Sequence, residues 1–191
     1  MKTLSLLEKC LNDNIPIIRE QTANFILSII NSNQYKSILE IGTAYGYSCS
    51  LWLQNQNIEK IVSLEKLVSN YEIAKSYLND PRLELVNTDA FEFNAQEKFD
   101  IIFIDGPKSN QEKLVEKYLN YLNPNGIMII DNLYLKKFSK LDNSLLTKNQ
   151  LKLINKVNNF RNWLLNNPFN YQFDLYDIDD GVGVLKKYVK S

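Results

Sequence analysis

Along the first two thirds of this chain, short apolar runs alternate with stretches whose apolar residues recur at helical spacing. Ser37–Ile41, Ile58–Leu64 and Leu83–Asn87 read as strands, the second ending at Glu65. Thr3–Asn12 and Ile18–Asn31 precede them as two helices separated by Asn14-Ile15-Pro16. A helix through about Gln54 follows the first strand, and Val68–Leu78 places Tyr71, Ala74 and Leu78 on one helical face. Phe99–Ile104 and Ile127–Ile130 are continuous and β-branched, as in strands buried on both faces of a parallel sheet. Between them Leu114, Val115, Tyr118, Leu119 and Leu122 predict a helix over Asn110–Leu122, closed by the breaker Asn123-Pro124-Asn125-Gly126. A polar, basic loop runs from about Tyr134 to Thr147. Leu151, Ile154, Val157, Phe160 and Leu164 then predict a long helix over Asn149–Leu165, stopped by Asn166-Asn167-Pro168. Tyr171–Tyr176 and Val182–Lys187 flank Asp179-Asp180-Gly181 as an antiparallel hairpin. Right-handed crossovers make the earlier strands parallel. The pattern predicts one α/β domain over 1–191, with N-terminal helices in 1–33 and a core over 34–191.

Composition narrows the chemistry. The 191 residues are 45% hydrophobic and 23% charged, ordinary for a globular domain with a real core. Twenty-two basic residues balance 22 acidic ones, so a polyanionic partner would need a local patch. The chain contains no histidine, which excludes a histidine base, triad or metal ligand. Cys10 and Cys49 form no CxxC or zinc pattern, which predicts a reducing, cytoplasmic setting. No apolar run reaches the length of a membrane span, and the N-terminus has no continuous apolar core of a signal peptide.

The candidate chemistry lies at predicted strand ends, where open α/β sheets bind ligands. Asp105 closes one strand, and Asp131 with Asn132 closes the next. Two carboxylates and an amide carbonyl suit a hard divalent cation such as Mg²⁺. The same aspartates could instead only cap the segments that follow. Earlier in the chain, Gly42-Thr43-Ala44-Tyr45-Gly46 turns sharply into a helix. It is neither GxGxxG nor a Walker loop, which disfavours a phosphate cradle. Glu65, at the second strand end, can hold the hydroxyls of a ribose, and Asp89, after the third, can reach an adenine edge. Tyr45, Tyr47 and Trp52 read as packing residues.

Glu-x-Gly-x-x-x-Gly, an acidic second strand end and Asp89-Ala90 together resemble the S-adenosylmethionine site of class I methyltransferases. ILEIGTAYGYS, FIDGPK and IIDN are similar to the metal-dependent O-methyltransferases of the catechol and caffeoyl-coenzyme A type, over roughly Ile15 to Lys187. This resemblance implies a Rossmann-like fold: a mostly parallel seven-stranded sheet, an antiparallel C-terminal hairpin, and helices on both faces. It implies S-adenosyl-L-methionine bound by Gly42, Ser48, Glu65, Asp89, Ala90 and Asp105. It also implies Mg²⁺ or another divalent cation on Asp105, Asp131 and Asn132, with Lys108 beside the reacting oxygen. Within the family the likeness is nearest to the bacterial enzymes that methylate 5-hydroxyuridine at the tRNA wobble position. Ile15-Pro16-Ile17, Lys108 with Gln111, Asp131-Asn132-Leu133, FRNWLLNNP, Asp180-Gly181 and Lys186-Lys187 carry it. Asp179 stands where that group is expected to have glycine, and Gly106-Pro107 replaces a commoner pair of alanines.

A tRNA anticodon stem-loop needs a cationic approach. Lys148, Lys152 and Lys156 recur at i, i+4 and i+8, and Lys136, Lys137 and Lys140 lie in the preceding loop beside Tyr134 and Phe138. That loop is also a candidate lid. A homodimer is expected, with the first two helices as one possible interface. Two other readings stay open: the same chemistry on a small catechol-like or phenolic acceptor, and a non-catalytic nucleoside-binding module.

Overall fold

In a computed structural model the described residues are 2–106, 109–136, 146–166 and 171–187. Two helices, α1 (Lys2–Asn12) and α2 (Glu20–Asn33), lead into β1 (Ser37–Ile41), α3 (Tyr47–Trp52), β2 (Lys60–Glu65), α4 (Val68–Tyr77) and β3 (Leu83–Asn87). Then come β4 (Phe99–Ile104), α5 (Gln111–Tyr118), β5 (Leu122–Ile130), α6 (Lys148–Leu165), β6 (Tyr171–Tyr176) and β7 (Val182–Lys187). One seven-stranded sheet has the order β3-β2-β1-β4-β5-β7-β6. The β1–β5 pairs are parallel, while β7 runs antiparallel to both β5 and β6. The fold is the Rossmann-like arrangement expected.

Alternate residues of each central strand feed opposite layers, because successive side chains point to opposite faces. Leu39, Ile41, Ile102, Ile104, Met128 and Ile130 pack with Leu114 and Tyr118 of α5 and Phe160 and Leu164 of α6. Ile38, Ile61, Ile101, Phe103, Ile127 and Ile129 pack with Ala23, Ile26 and Ile30 of α2 and with Trp52 of α3. With both faces of the sheet covered by helices, its strand ends are left for ligands.

The structure corrects one boundary. Asn123-Pro124-Asn125-Gly126 does not interrupt the chain between helix and strand; it lies inside β5. Phe99 pairs with Leu122 and Ile101 with Ile127, so a bulge takes up the extra residues. The polar positions are paired there: Asn123 Nδ2 donates to Asp100 Oδ1 (2.7 Å), and Tyr35 Oη donates to the Asn125 carbonyl (2.6 Å). The helix before it is shorter than predicted, with a 3-10 turn at Leu119–Tyr121.

Candidate active site at the carboxyl edge of the sheet

Strand order reverses between β1 and β4, and the candidate residues gather there. Gly42 N–H and Thr43 N–H both donate to the Leu64 carbonyl (3.0 and 3.1 Å), pulling the first loop over the end of β2. Asp105 N–H donates to the Ile41 carbonyl and Asp131 N–H to the Ile104 carbonyl (both 3.1 Å), so β1, β4 and β5 end side by side. A Cβ on Gly42 would lie 2.3 Å from the Asp105 carbonyl oxygen, and its φ is +107°. Only glycine lets the loop and the Asp105 strand end approach this closely.

Glu65, at the end of β2, is buried. Its Oε2 accepts from Ala44 N–H (2.8 Å) and its Oε1 from Leu67 N–H (2.7 Å). A carboxylate oxygen can accept more than one hydrogen bond, so this anchoring still allows contact with ligand hydroxyls. Asp89 accepts from Phe91 N–H (2.9 Å) and pairs with exposed Lys66 (2.7 Å), which holds its carboxyl below the usual range. Ala90 is buried, its carbonyl accepting from Tyr118 Oη at 2.6 Å. Ser48 lies at the start of α3 in a small cleft shared with Ile15–Ile18, Gly42–Tyr45 and Asp105. Six of the sequence-predicted residues thus share one edge with the two β5-end residues.

The second group sits beside it. Asn132 Nδ2 is 3.4 Å from Asp105 Oδ1, and Asn132 N–H donates to Asp131 Oδ1 at 2.7 Å. Asp131 is buried at 5% exposure, with Asp105 and Asn132 partly exposed toward the edge. Among the described residues no three His, Cys, Asp or Glu side chains cluster as a metal site. The set is two carboxylates and one amide, all hard oxygen donors once the Asn132 amide turns its carbonyl inward. Such a set fits a cation that keeps water and substrate among its ligands. Lys108 lies outside the described residues.

Sequence reasoning missed what supports the loop from below. Glu40 is fully buried and accepts from Ser63 Oγ (2.5 Å), Cys49 Sγ (2.7 Å) and Trp52 Nε1 (3.3 Å). Burial pushes its carboxyl up, against the pull of these donors. Ser63 in turn shares a 2.6 Å hydrogen bond with Thr43 of the loop. The Glu-x-Gly spacing hinted at Glu40; nothing in the sequence marked Ser63.

A doubly wound sheet with a glycine loop, an acidic β2 end and oxygen donors at the β4 and β5 ends defines a methyltransferase-type α/β protein. Residues 6–185 match the sequence profile of the O-methyltransferase family, and the chain belongs to that family. A candidate caffeoyl-CoA O-methyltransferase from Staphylococcus aureus superposes with a TM-score of 0.87 at 27% identity, over 98% of this chain and 93% of that one. An O-methyltransferase from Bacillus cereus in complex with S-adenosylhomocysteine gives 0.76 at 22% identity, over 97% and 90%. A candidate cobalt-precorrin-6B C(15)-methyltransferase (decarboxylating) from Thermoplasma volcanium is 26% identical over 158 residues, 78% of this chain and 72% of that protein. Among the described residues no helix is long and apolar enough to cross a membrane.

Proposed function

We propose that this protein is an S-adenosylmethionine-dependent, divalent-metal-dependent O-methyltransferase that converts 5-hydroxyuridine at the tRNA wobble position to 5-methoxyuridine. The observation that carries the chemistry is the convergence of Asp105, Asp131 and Asn132 on the edge that also holds the Gly42 loop and Glu65. The S-adenosylhomocysteine seen in the Bacillus cereus structure supports the choice of cofactor.

When bound, the sulfonium cofactor supplies the methyl group, and the cation supplies the charge that favours an anionic acceptor oxygen. The chain supplies position and proton handling. Gly42 leaves the backbone bare for close approach, and Glu65 accepts from ribose hydroxyls while its anchoring N–H partners keep it in place. Asp105, Asp131 and Asn132, at the ends of β4 and β5 beside the Gly42 loop, would hold the cation, which would supply positive charge to the acceptor oxygen. Lys108, three residues after Asp105 in the sequence, takes or steers the acceptor proton. With no histidine in the chain, a carboxylate, lysine, tyrosine, serine, threonine or cysteine remains for that work, and Lys108 is the group proposed.

The acceptor is argued from charge. Lys148, Lys152 and Lys156 are all exposed on α6, and Lys156 Nζ reaches Ser109 Oγ at 3.4 Å, next to Lys108 in sequence. A cationic stripe running up to the reacting edge suits a phosphate backbone whose unpaired base enters the site. Tyr134 has less to offer as a stacking platform. Its ring packs against Gly181, with Arg161 and Lys136 at 5.3 and 5.7 Å from the centroid. Lys137, Phe138 and Lys140, with most of the candidate lid, lie outside the described residues. We also propose a homodimer; the apolar groove of about 540 Å³ bordered by Leu7, Ile18, Ala23, Leu27 and Leu51 supports pairing through α1 and α2.

A second acceptor class is a catechol-like or phenolic compound, which the likeness to the Staphylococcus aureus candidate caffeoyl-CoA O-methyltransferase favours. Labelled methyl transfer to tRNA carrying 5-hydroxyuridine, matched tRNA without the hydroxyl, and catechol separates the two. Labelling of the hydroxylated tRNA alone is expected; labelling of catechol alone would move the substrate to a small molecule.

A further inference from the structure

Asp131 and Asn132 are followed by chain that lies in no helix or strand over 133–135. Asn132 and Leu135 both have positive φ, 65° and 50°. Asn tolerates this region, but for Leu135 it costs on the order of 1 kcal/mol or more and persists only where neighbours enforce it. The enforcing groups come from the β6–β7 turn. Leu133 N–H donates to the Gly181 carbonyl (3.0 Å) and Tyr134 N–H to the Asp180 carbonyl (2.7 Å). Lys136 N–H donates to Asp180 Oδ1 at 3.0 Å, and Arg161 Nη1 donates to the Leu133 carbonyl from the other side, also at 3.0 Å. The remaining Asp180 oxygen, Oδ2, accepts from Arg19 Nη2 at 2.6 Å. Asp180 is only 4% exposed, so this carboxylate depends on that pairing.

The adjacent carboxylate does different work. Asp179 Oδ2 accepts from Thr22 N–H (2.8 Å) and Thr22 Oγ1 (2.9 Å). It caps α2, whose own N-cap residue, Arg19, makes no side-chain cap. One turn therefore carries two separable carboxylates. Asp179 secures a helix, and Asp180 secures the chain that presents Asn132 to Asp105.

We propose that Asp180, clasped by Arg19, is a positioning residue for the divalent-cation site, so that cation affinity is set in part from the hairpin turn and the N-terminus of α2. This rests on the reading of Asp105, Asp131 and Asn132 as cation ligands. Asp180→Asn keeps an acceptor for Lys136 N–H but removes the charge that Arg19 clasps. Groups hydrogen-bonded directly to a metal ligand govern affinity by about tenfold to a hundredfold; Asp180 acts one step further out, through the Tyr134–Lys136 backbone, which puts the expected loss at the low end of that range. A purely structural role would lower stability without singling out the cation.

The test titrates Mn²⁺ into the full chain, read by electron paramagnetic resonance, and S-adenosylhomocysteine, read by calorimetry. Asp180→Asn is expected to weaken Mn²⁺ binding about tenfold while S-adenosylhomocysteine affinity stays within about twofold. Asp179→Asn is expected to lower Tm and to change Mn²⁺ affinity by less than Arg19→Gln does. Arg19→Gln, at a half-exposed side chain, should reproduce part of the Asp180→Asn loss, and Arg19→Lys should restore it. Wild-type Mn²⁺ affinity in both Asp180→Asn and Arg19→Gln would overturn the clasp and leave the cation site standing. If Asp180→Asn does not fold, unchanged affinity in Arg19→Gln alone overturns it. Absence of Mn²⁺ binding by the wild-type protein would overturn the cation site and the clasp together.

Discussion

Asn132 Nδ2 stands 3.4 Å from Asp105 Oδ1, joining side chains 27 positions apart at the ends of neighbouring parallel strands. The contact exists because β4 and β5 pair through Ile104 and Ile130, so the residues that follow emerge together. Asp105→Asn keeps the shape of that corner and removes one of its two carboxylates. Methyl transfer should fall about a hundredfold or more, since a metal's stabilisation of an anionic acceptor amounts to several kcal/mol. Steady-state kinetics beside a thermal melt checks this; a folded Asp105→Asn with wild-type turnover would remove Asp105 from the mechanism.

Gly42→Ala would place a methyl group 2.3 Å from the Asp105 carbonyl, at a φ of +107°. Strain and clash together should cost roughly 2 kcal/mol or more of stability and open the loop away from β4. Urea unfolding measures the first effect and S-adenosylhomocysteine calorimetry the second. A stable variant with normal binding would show that the close approach is not needed.

Glu65→Gln leaves one carbonyl oxygen where two carboxylate oxygens now accept from Ala44 and Leu67. Loss of a charged acceptor should weaken S-adenosylhomocysteine binding on the order of tenfold or more, as hydrogen bonds to charged groups are worth about 1.5–3 kcal/mol. Calorimetry decides it, and unchanged affinity would take Glu65 out of the cofactor site.

Asp100 links the starts of β4 and β1. Burial pushes its carboxyl up, but Lys36 N–H, Asn123 Nδ2, and Ser37 N–H and Oγ outweigh it and hold the group below its ordinary value. A carboxyl lowered on folding contributes stability above its unfolded value, near 4, and loses it as the pH falls through the folded value. Asp100→Asn should therefore lose about 1–3 kcal/mol at neutral pH and show a shallower fall in stability on acidification. Parallel curves for the two proteins between neutral and acid pH would contradict this.

Much of this architecture was legible because the determining signals are local. β1, β3, β4, β6 and β7 fall where their apolar runs or alternation placed them, and Thr147 with Gln150 forms a capping box that starts α6 within one residue of expectation. Asp105, Asp131 and Asn132 were visible as strand ends. What was hidden depends on contacts between distant segments. Asn123–Gly126 has the composition of a turn, yet Asp100 and Tyr35 satisfy its polar groups inside a bulged strand. Asp179 looked like a departure from the family pattern, whereas it caps a helix 157 positions away. No periodicity reports such a partnership, and none reports the Glu40–Ser63–Thr43 chain beneath the loop.

Charge reversal of Lys148, Lys152 and Lys156 to Glu should weaken tRNA binding strongly at low salt and less at high salt, because each lost phosphate contact lowers the salt dependence by about one counterion. Filter binding across a salt series checks it. Equal affinity at every salt concentration would remove α6 from the RNA surface.

The proposed reaction, methylation of an oxygen, requires a divalent cation at Asp105, Asp131 and Asn132. Its most direct test is transfer of labelled methyl from S-adenosylmethionine to tRNA carrying 5-hydroxyuridine, in Mg²⁺, in chelator, and in chelator with Mg²⁺ restored in excess. Labelling is expected in Mg²⁺, with loss in chelator and recovery on restoration. Undiminished labelling in chelator would contradict it.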